Sequence, residues 1–256
     1  MNKENNLLYS EDFNKLIEIS IEHNEYVGCG NPNAKMLFIG KELGIEKGKE
    51  IYHGFGISWR DRTHDYSERI NQQNIEDKKL LNGNHTWQKY QKLYDIIVSE
   101  YLTENIIKEK EGKYGITFLE NVFTTELSNI TAPNTKDAKQ DNNFRNALKE
   151  RKKYFWNSNY FNQFPIILIF GSDNKYIETY QGEVCELFDV TFSLYKSVVA
   201  SNLWIHYAKK NVNQIYPRLL IHTRQLTNGA PNELLNEIAF LVKQFIKEHS
   251  LNIIVK

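Results

Sequence analysis

Four short segments decide most of what this chain can fold into. Lys35–Gly40 (KMLFIG), Ile116–Asn121 (ITFLEN), Ile166–Gly171 (IILIFG) and Arg218–His222 (RLLIH) are apolar at successive positions rather than at alternate ones. An alternating strand buries one face, whereas a strand without alternation must be covered on both, as parallel strands between helices are. Helical periodicity fills the intervals. Thr86–Tyr101 puts Trp87, Tyr90, Leu93, Tyr94, Ile97 and Tyr101 on one stripe with Thr86 as a cap. Asn142–Trp156 turns Phe144, Leu148 and Phe155 inward, and Pro231–His249 follows a helix-starting proline with Leu234, Leu235, Ile238, Leu241, Val242, Phe245 and Ile246. Strands alternating with helices predict an α/β fold, a three-layer α/β/α sandwich with a short central parallel sheet. No repeat or linker divides the chain, so one domain over 1–256 is expected, with 1–25 as an N-terminal helical extension. The irregular stretch 45–83 is long enough to read as a functional or disordered loop.

Composition narrows the function classes. Of 256 residues, 32 are Lys or Arg and 32 Asp or Glu, which excludes a uniformly basic nucleic-acid packer and an acidic disordered chain. A nucleic-acid enzyme stays open, since it needs only one basic face and a few phosphate contacts. With only Cys29 and Cys185, far apart in the sequence, neither a disulfide framework nor a thiolate zinc or iron–sulfur site can be assembled. The group His53, Asp61, His64 and Asp65 matches no helical or strand face, so no metal and no cofactor is expected. The first thirteen residues lack a signal-peptide core, and the longest apolar run, Phe164–Phe170, is about a third of the ~20 residues a membrane span requires. A cytoplasmic monomer without membrane contact is the expectation.

In an open α/β sheet ligands bind beyond the carboxyl ends of the strands. The first segment runs into Gly40-Lys41-Glu42-Leu43-Gly44, the second ends at Glu120-Asn121, the third at Gly171-Ser172 and the fourth at His222-Thr223-Arg224-Gln225-Leu226. Singly these are a solvated loop carboxylate, a turn amide and a structural histidine. Jointly, a carboxylate, an amide and an imidazole on fixed strand ends would converge on one small polar ligand. Phosphate-loop readings fail on spacing: Gly28-Cys29-Gly30 precedes its strand, and Glu50 stands where a phosphate loop beginning at Gly44 would need Ser or Thr. Ser172 lacks the G-x-S-x-G elbow of a serine hydrolase.

Taken in order, these motifs resemble the uracil-DNA glycosylase superfamily. The run Gly28–Gly40 leading into Gly40-Lys41-Glu42-Leu43-Gly44 is similar to its first motif, read G-Q-D-P-Y, G-E-A-P-G or G-I-N-P-G in different branches. Asn121-Val122-Phe123-Thr124-Thr125 resembles N-x-x-L-T, Ile167–Ser172 resembles L-L-W-G-S, and His222–Thr227 falls on H-P-S-P-L-S with His and Leu in register. The likeness spans most of the chain from Tyr26 onward. Glu42 stands where branches have Asp or Asn, one methylene longer than the first; Thr223 and Gln225 replace the two prolines; Gly44 replaces a thymine-rejecting Tyr; and the iron–sulfur cysteines of one branch are missing.

The resemblance implies a monofunctional DNA glycosylase that flips uracil or a related deaminated base out of DNA and hydrolyses its N-glycosidic bond. Glu42 would stabilise the cationic sugar and position water, and His222 would donate to the base oxygen that gains charge. Asn121 would read the base edge within a pocket shared with Gly40 and Lys41, and Phe55 or Trp59 would supply the stacking face. Thr223, Arg224, Gln225 and a wedging Leu226 would contact DNA, with Arg60, Arg62 and the basic helix 142–156 (Arg145, Lys149, Arg151, Lys152, Lys153) as further phosphate contacts. Plain core packing for Phe55 and Trp59 and a solvated face for the basic helix are the competing readings. A non-catalytic nucleic-acid or nucleotide binding protein that retains the fold is the alternative function.

Overall fold

Three of the doubly apolar segments are strands where the sequence places them, and the second is displaced. A computed structural model describes residues 8–44, 53–61, 85–101, 117–178, 182–209, 217–227 and 229–254. In it β1 is Cys29–Gly30, β2 Met36–Gly40, β3 Leu43–Gly44, β4 Val122–Glu126, β5 Thr131–Ala132, β6 Ile166–Phe170, β7 Val190–Val198, β8 Ser201–Ala208 and β9 Leu219–Thr223. The helices are α1 Glu11–Glu22, α2 Gly56–Arg60, α3 His85–Val98, α4 Thr135–Gln140, α5 Phe144–Tyr154, α6 Glu183–Leu187 and α7 Asn232–Glu248.

The main sheet has seven strands in the order β1-β4-β2-β6-β9-β8-β7. Its four central strands are parallel, but β1 at one edge and the β7–β8 hairpin at the other are antiparallel, so the sheet is mixed. Central strands with no exposed side chain have helices on both faces. Met36, Phe38, Ile166, Leu168 and Phe170 pack with Tyr90, Leu93 and Ile97 of α3 and with Leu234, Leu235 and Val242 of α7. Leu37, Ile39, Ile167 and Ile169 pack on the other face with Phe13, Leu16 and Ile17 of α1 and with Phe144 and Leu148 of α5. Helix α1 is therefore part of the core rather than an appended extension. Ser10 caps it, accepting a hydrogen bond from the Phe13 amide at 3.1 Å.

The second segment needs correction. Phe118–Glu120 is a 3-10 turn, and the strand begins after it at Val122. Phe118 and Leu119 are apolar because they fill the core beneath the incoming chain, not because they lie in the sheet. Gln91 of α3 holds the turn by accepting hydrogen bonds from the Thr117 and Phe118 amides. The strand proper, Val-Phe-Thr-Thr-Glu, is polar at its end, which disguises it.

Candidate active site at the carboxyl ends of the parallel strands

From β2 the chain crosses to β4 on one side, then to β6 on the other, so the strand order reverses at β2. That reversal opens a crevice beyond the carboxyl ends of β2 and β6. Lys41 and Glu42 sit in it, between β2 and the short β3, which pairs with β5 in a separate two-stranded sheet. The turn is tied down by Leu127 N–H to the Gly40 carbonyl (2.9 Å) and Ser128 N–H to the Lys41 carbonyl (2.8 Å). Thr135, the first residue of α4, donates its hydroxyl to Glu42 Oε1 at 2.6 Å. One turn on, Lys139 pairs with Asp173 after β6. The Asp173 carboxylate and carbonyl accept from the Lys175 and Tyr176 amides, a turn that brings Tyr176 into the crevice.

The residue that ends β4 beside Gly40 is Glu126. Its carboxyl group lies over the Gly40 backbone: a Cβ at position 40 would stand 2.1 Å from Glu126 Oε2 and would push that carboxyl group aside. Gly171 plays the same part for Lys41, whose Cγ would be 2.8 Å from a Cβ there. The lysines Lys41 and Lys139 place their ammonium groups 5.8 and 5.7 Å from the centre of the Tyr176 ring. That ring is fully buried and packs edge-on against Phe144.

The electrostatics of this crevice are unusual. Burial, then the charge of Glu42, hold the Glu126 carboxyl well above the usual carboxylate range, against partial relief from Arg151. Burial and the facing Glu42 carboxylate push the Tyr176 hydroxyl up, and burial and Glu126 do the same to Tyr90. Glu42 Oε2, Glu126 Oε2 and Tyr176 Oη are buried, with the Tyr176 hydroxyl turned toward the Glu42 carboxylate. Together these side chains make the end of the sheet polar, with two carboxyl groups and a phenol in close company.

The expected site residues fall into two groups. Gly40, Lys41 and Glu42 are in the crevice. Asn121 is not: it precedes β4, at the amino end of the sheet, about 17 Å away for a strand of this length, and donates to the Tyr94 hydroxyl at 2.8 Å. The strand shift is the reason, and Glu126 holds the place expected of it. His222 lies inside β9, fully buried, paired with Ile169 and Trp204 on the face toward α1 and α5. Glu126 lies three strands away, on the opposite face. Thr223, also fully buried, donates to the Asn202 carbonyl, Arg224 reaches the Gln225 carbonyl, and Gln225 is half-buried. Leu226 is fully buried in the core with α3 and α7, so it is not poised as a wedge.

Trp59 is 1% exposed, packs edge-on to Phe13 and donates to the Gly28 carbonyl at 3.0 Å, which makes it a core side chain rather than a stacking platform. Phe55 is half-buried, 5.7 Å from Tyr26 edge-on. On α5 Arg151 is fully buried and Lys152 pairs with Glu183, leaving Arg145, Lys149 and Lys153 exposed. Arg60 pairs with Asp61, while Arg62, His64 and Asp65 lie outside the described residues, as does most of 45–83. Among the described residues no group of three or more His, Cys, Asp or Glu is placed to hold a metal ion, and no helix is long and apolar enough to cross a membrane. A cavity of about 250 Å³ opens at the amino end of the sheet, beside Arg218, whose guanidinium is committed to the Phe164, Phe188 and Asn162 carbonyls.

Sequence reasoning missed Glu126, Thr135, Lys139, Asp173 and Tyr176. Only Glu126 left a signal, as the charged end of an otherwise uncharged run from Val122. Comparison with known protein families, curated proteins and solved structures finds no match for this chain.

Proposed function

We propose that this protein is a uracil-DNA glycosylase-like hydrolase that releases uracil or a related deaminated base from DNA, acting as a cytoplasmic monomer. The observation that carries the reading is Glu42, fixed by Thr135 at the reversal of the strand order, with a second carboxyl group beside it. Breaking the bond between C1′ and the base nitrogen sends the electron pair to the base and leaves a cationic sugar. A carboxylate facing that sugar stabilises it electrostatically, a contribution of roughly 2.7–4 kcal/mol if it matches a single oxyanion-hole donor in size. Water then adds its oxygen to C1′, passes one proton to Glu42, and the departing base is protonated in turn. Lys41, with the exposed Lys136 and Arg145 on α4 and α5, would supply the phosphate contacts, Lys139 being paired with Asp173.

Oligonucleotides containing uracil, hypoxanthine or xanthine, incubated with the protein and cleaved with alkali, test the proposal. Strand breaks that depend on Glu42 and fall by about 10²–10³-fold in Glu42→Gln are the expected result. Their absence on all three substrates refutes it. The burial of Leu226 and Arg151 removes two expected DNA contacts and favours the second reading, a non-catalytic nucleotide or nucleic-acid binder. Binding to these oligonucleotides without base release, unchanged in Glu42→Gln, selects that reading.

A further inference from the structure

Glu126 brings a carboxyl group to the end of β4, beside Glu42 and within the field of the buried Arg151. Its backbone carbonyl serves Arg151, but its carboxyl group is spread over Gly40 with Oε2 buried and no well-formed hydrogen bond among the described residues. The groups facing it are Glu42 from the end of β2, Tyr90 from α3, Arg151 from α5 and, across Glu42, Tyr176 after β6. Of these only Arg151 is cationic, and its guanidinium is already engaged by Glu25.

We propose that Glu126 reads the base edge, using its carboxyl group as a neutral acid that donates through O–H and accepts through C=O. This inference rests on the glycosylase reading and names what that site selects. A neutral carboxylic acid matches an edge on which a carbonyl adjoins an N–H, the lactam shared by uracil and hypoxanthine. An ionised carboxylate accepts only, and would suit two adjacent donors, as on guanine. The amide expected at this strand end offers one donor and one acceptor, and a neutral Glu126 offers the same pair. Burial and the neighbouring Glu42 charge favour that form.

Glu126→Ala and Glu126→Gln separate the possibilities. Base release from a uracil oligonucleotide is expected to fall about 10- to 100-fold in the alanine variant, which loses the hydrogen bonds, and to recover most of that loss in the glutamine variant. As pH rises through the raised folded pKa of Glu126, the parent rate relative to the glutamine variant is expected to decline. A readout free of activity accompanies it. A carboxyl group with a raised folded pKa contributes stability that is present below its unfolded value and lost as pH rises, so the urea midpoint of Glu126→Gln should climb relative to the parent with increasing pH. If the parent releases base but the glutamine variant is as impaired as alanine, or the midpoint difference is flat with pH, Glu126 is not a neutral reader and the inference falls alone. If the parent releases no base, the glycosylase reading fails and takes this inference with it.

Discussion

Removing Arg151 should be among the most damaging single changes to this protein. The side chain is fully buried and pairs with Glu25, itself 2% exposed, at 2.5 Å. The same guanidinium donates to the Tyr26 carbonyl (2.9 Å), to Thr125 Oγ1 (3.1 Å) and to the Glu126 carbonyl (3.0 Å), and it stacks 3.7 Å from the centre of the Phe155 ring. It thereby ties α5 to the segment before β1 and to the end of β4, the strand that presents Glu126. Burial weighs against its charge, and Glu25 offsets that. Arg151→Met leaves the Glu25 carboxylate buried without its partner, a loss of about 3–5 kcal/mol. At about 2–4 °C per kcal/mol for a chain of this size, the melting temperature should fall by roughly 10 °C. Urea unfolding of the parent, Arg151→Met, Glu25→Leu and the double variant measures it. The double variant should cost less than either single change, because it leaves no unpaired charge. Singles within about 1 kcal/mol of the parent, or a double equal to their sum, would refute the account.

Three further outcomes are expected. Val199 and Ala200 form the two-residue loop of the β7–β8 hairpin with φ of 42° and 57°, and Val199 is 62% exposed. Val199→Asn with Ala200→Gly should therefore raise stability by about 1–2 kcal/mol in thermal melts, and an unchanged or lower stability contradicts it. Asn121→Ala should cost about 1–3 kcal/mol through the lost Tyr94 bond yet leave base release intact; lower activity at parental stability would return Asn121 to the site. Asp173 feels burial first, but its bonds to Lys139 and the Lys175 amide and the nearby lysine charges leave its pKa lowered. A lowered carboxyl contributes stability that is present above its unfolded value, about 3.9, and lost as pH falls through the folded one. Asp173→Asn should thus match the parent at strongly acidic pH and be less stable near neutrality, by under about 1 kcal/mol for a partly exposed pair. Equal stability at both pH values rules this out.

What the sequence revealed depended on whether one local pattern determined the outcome. Apolar runs read correctly at Met36–Gly40, Ile166–Phe170 and the first three residues of Leu219–Thr223, because a strand covered on both faces favours apolar side chains at successive positions. The same rule failed at Phe118 and Leu119, since a buried 3-10 turn is equally apolar over so short a stretch. The β7–β8 hairpin escaped notice because its loop is Val-Ala, without the Asn-Gly signal, and because Leu194 and Tyr195 are exposed where alternation would bury one of them. At the site Glu42 was legible from its place after β2. Tyr176, Lys139 and Thr135 were not, because tertiary contacts between α4 and the turn after β6 bring them there.

The register of the central strands constrains how the site can work. Thr125, Ile39, Ile169, His222 and Trp204 form one row across the sheet and share a face; Glu126, Gly40, Phe170 and Thr223 form the next row and share the other. A parallel sheet cannot turn His222 toward Glu126 without slipping β9 by one residue, which would send Leu219 and Ile221 out of one core and Leu220 out of the other. One base therefore cannot be held edge-on by both side chains from within the sheet. On the proposed reading, chemistry centred on Glu42 would draw its partners from the rim of β2, β4 and β6, where Glu126, Tyr176 and Lys41 stand, and not from His222 within β9. His222→Gln and His222→Leu should therefore release base at equal rates once matched for folded protein, and a rate that survives only in the glutamine variant would show that the side chain at 222 reaches the rim.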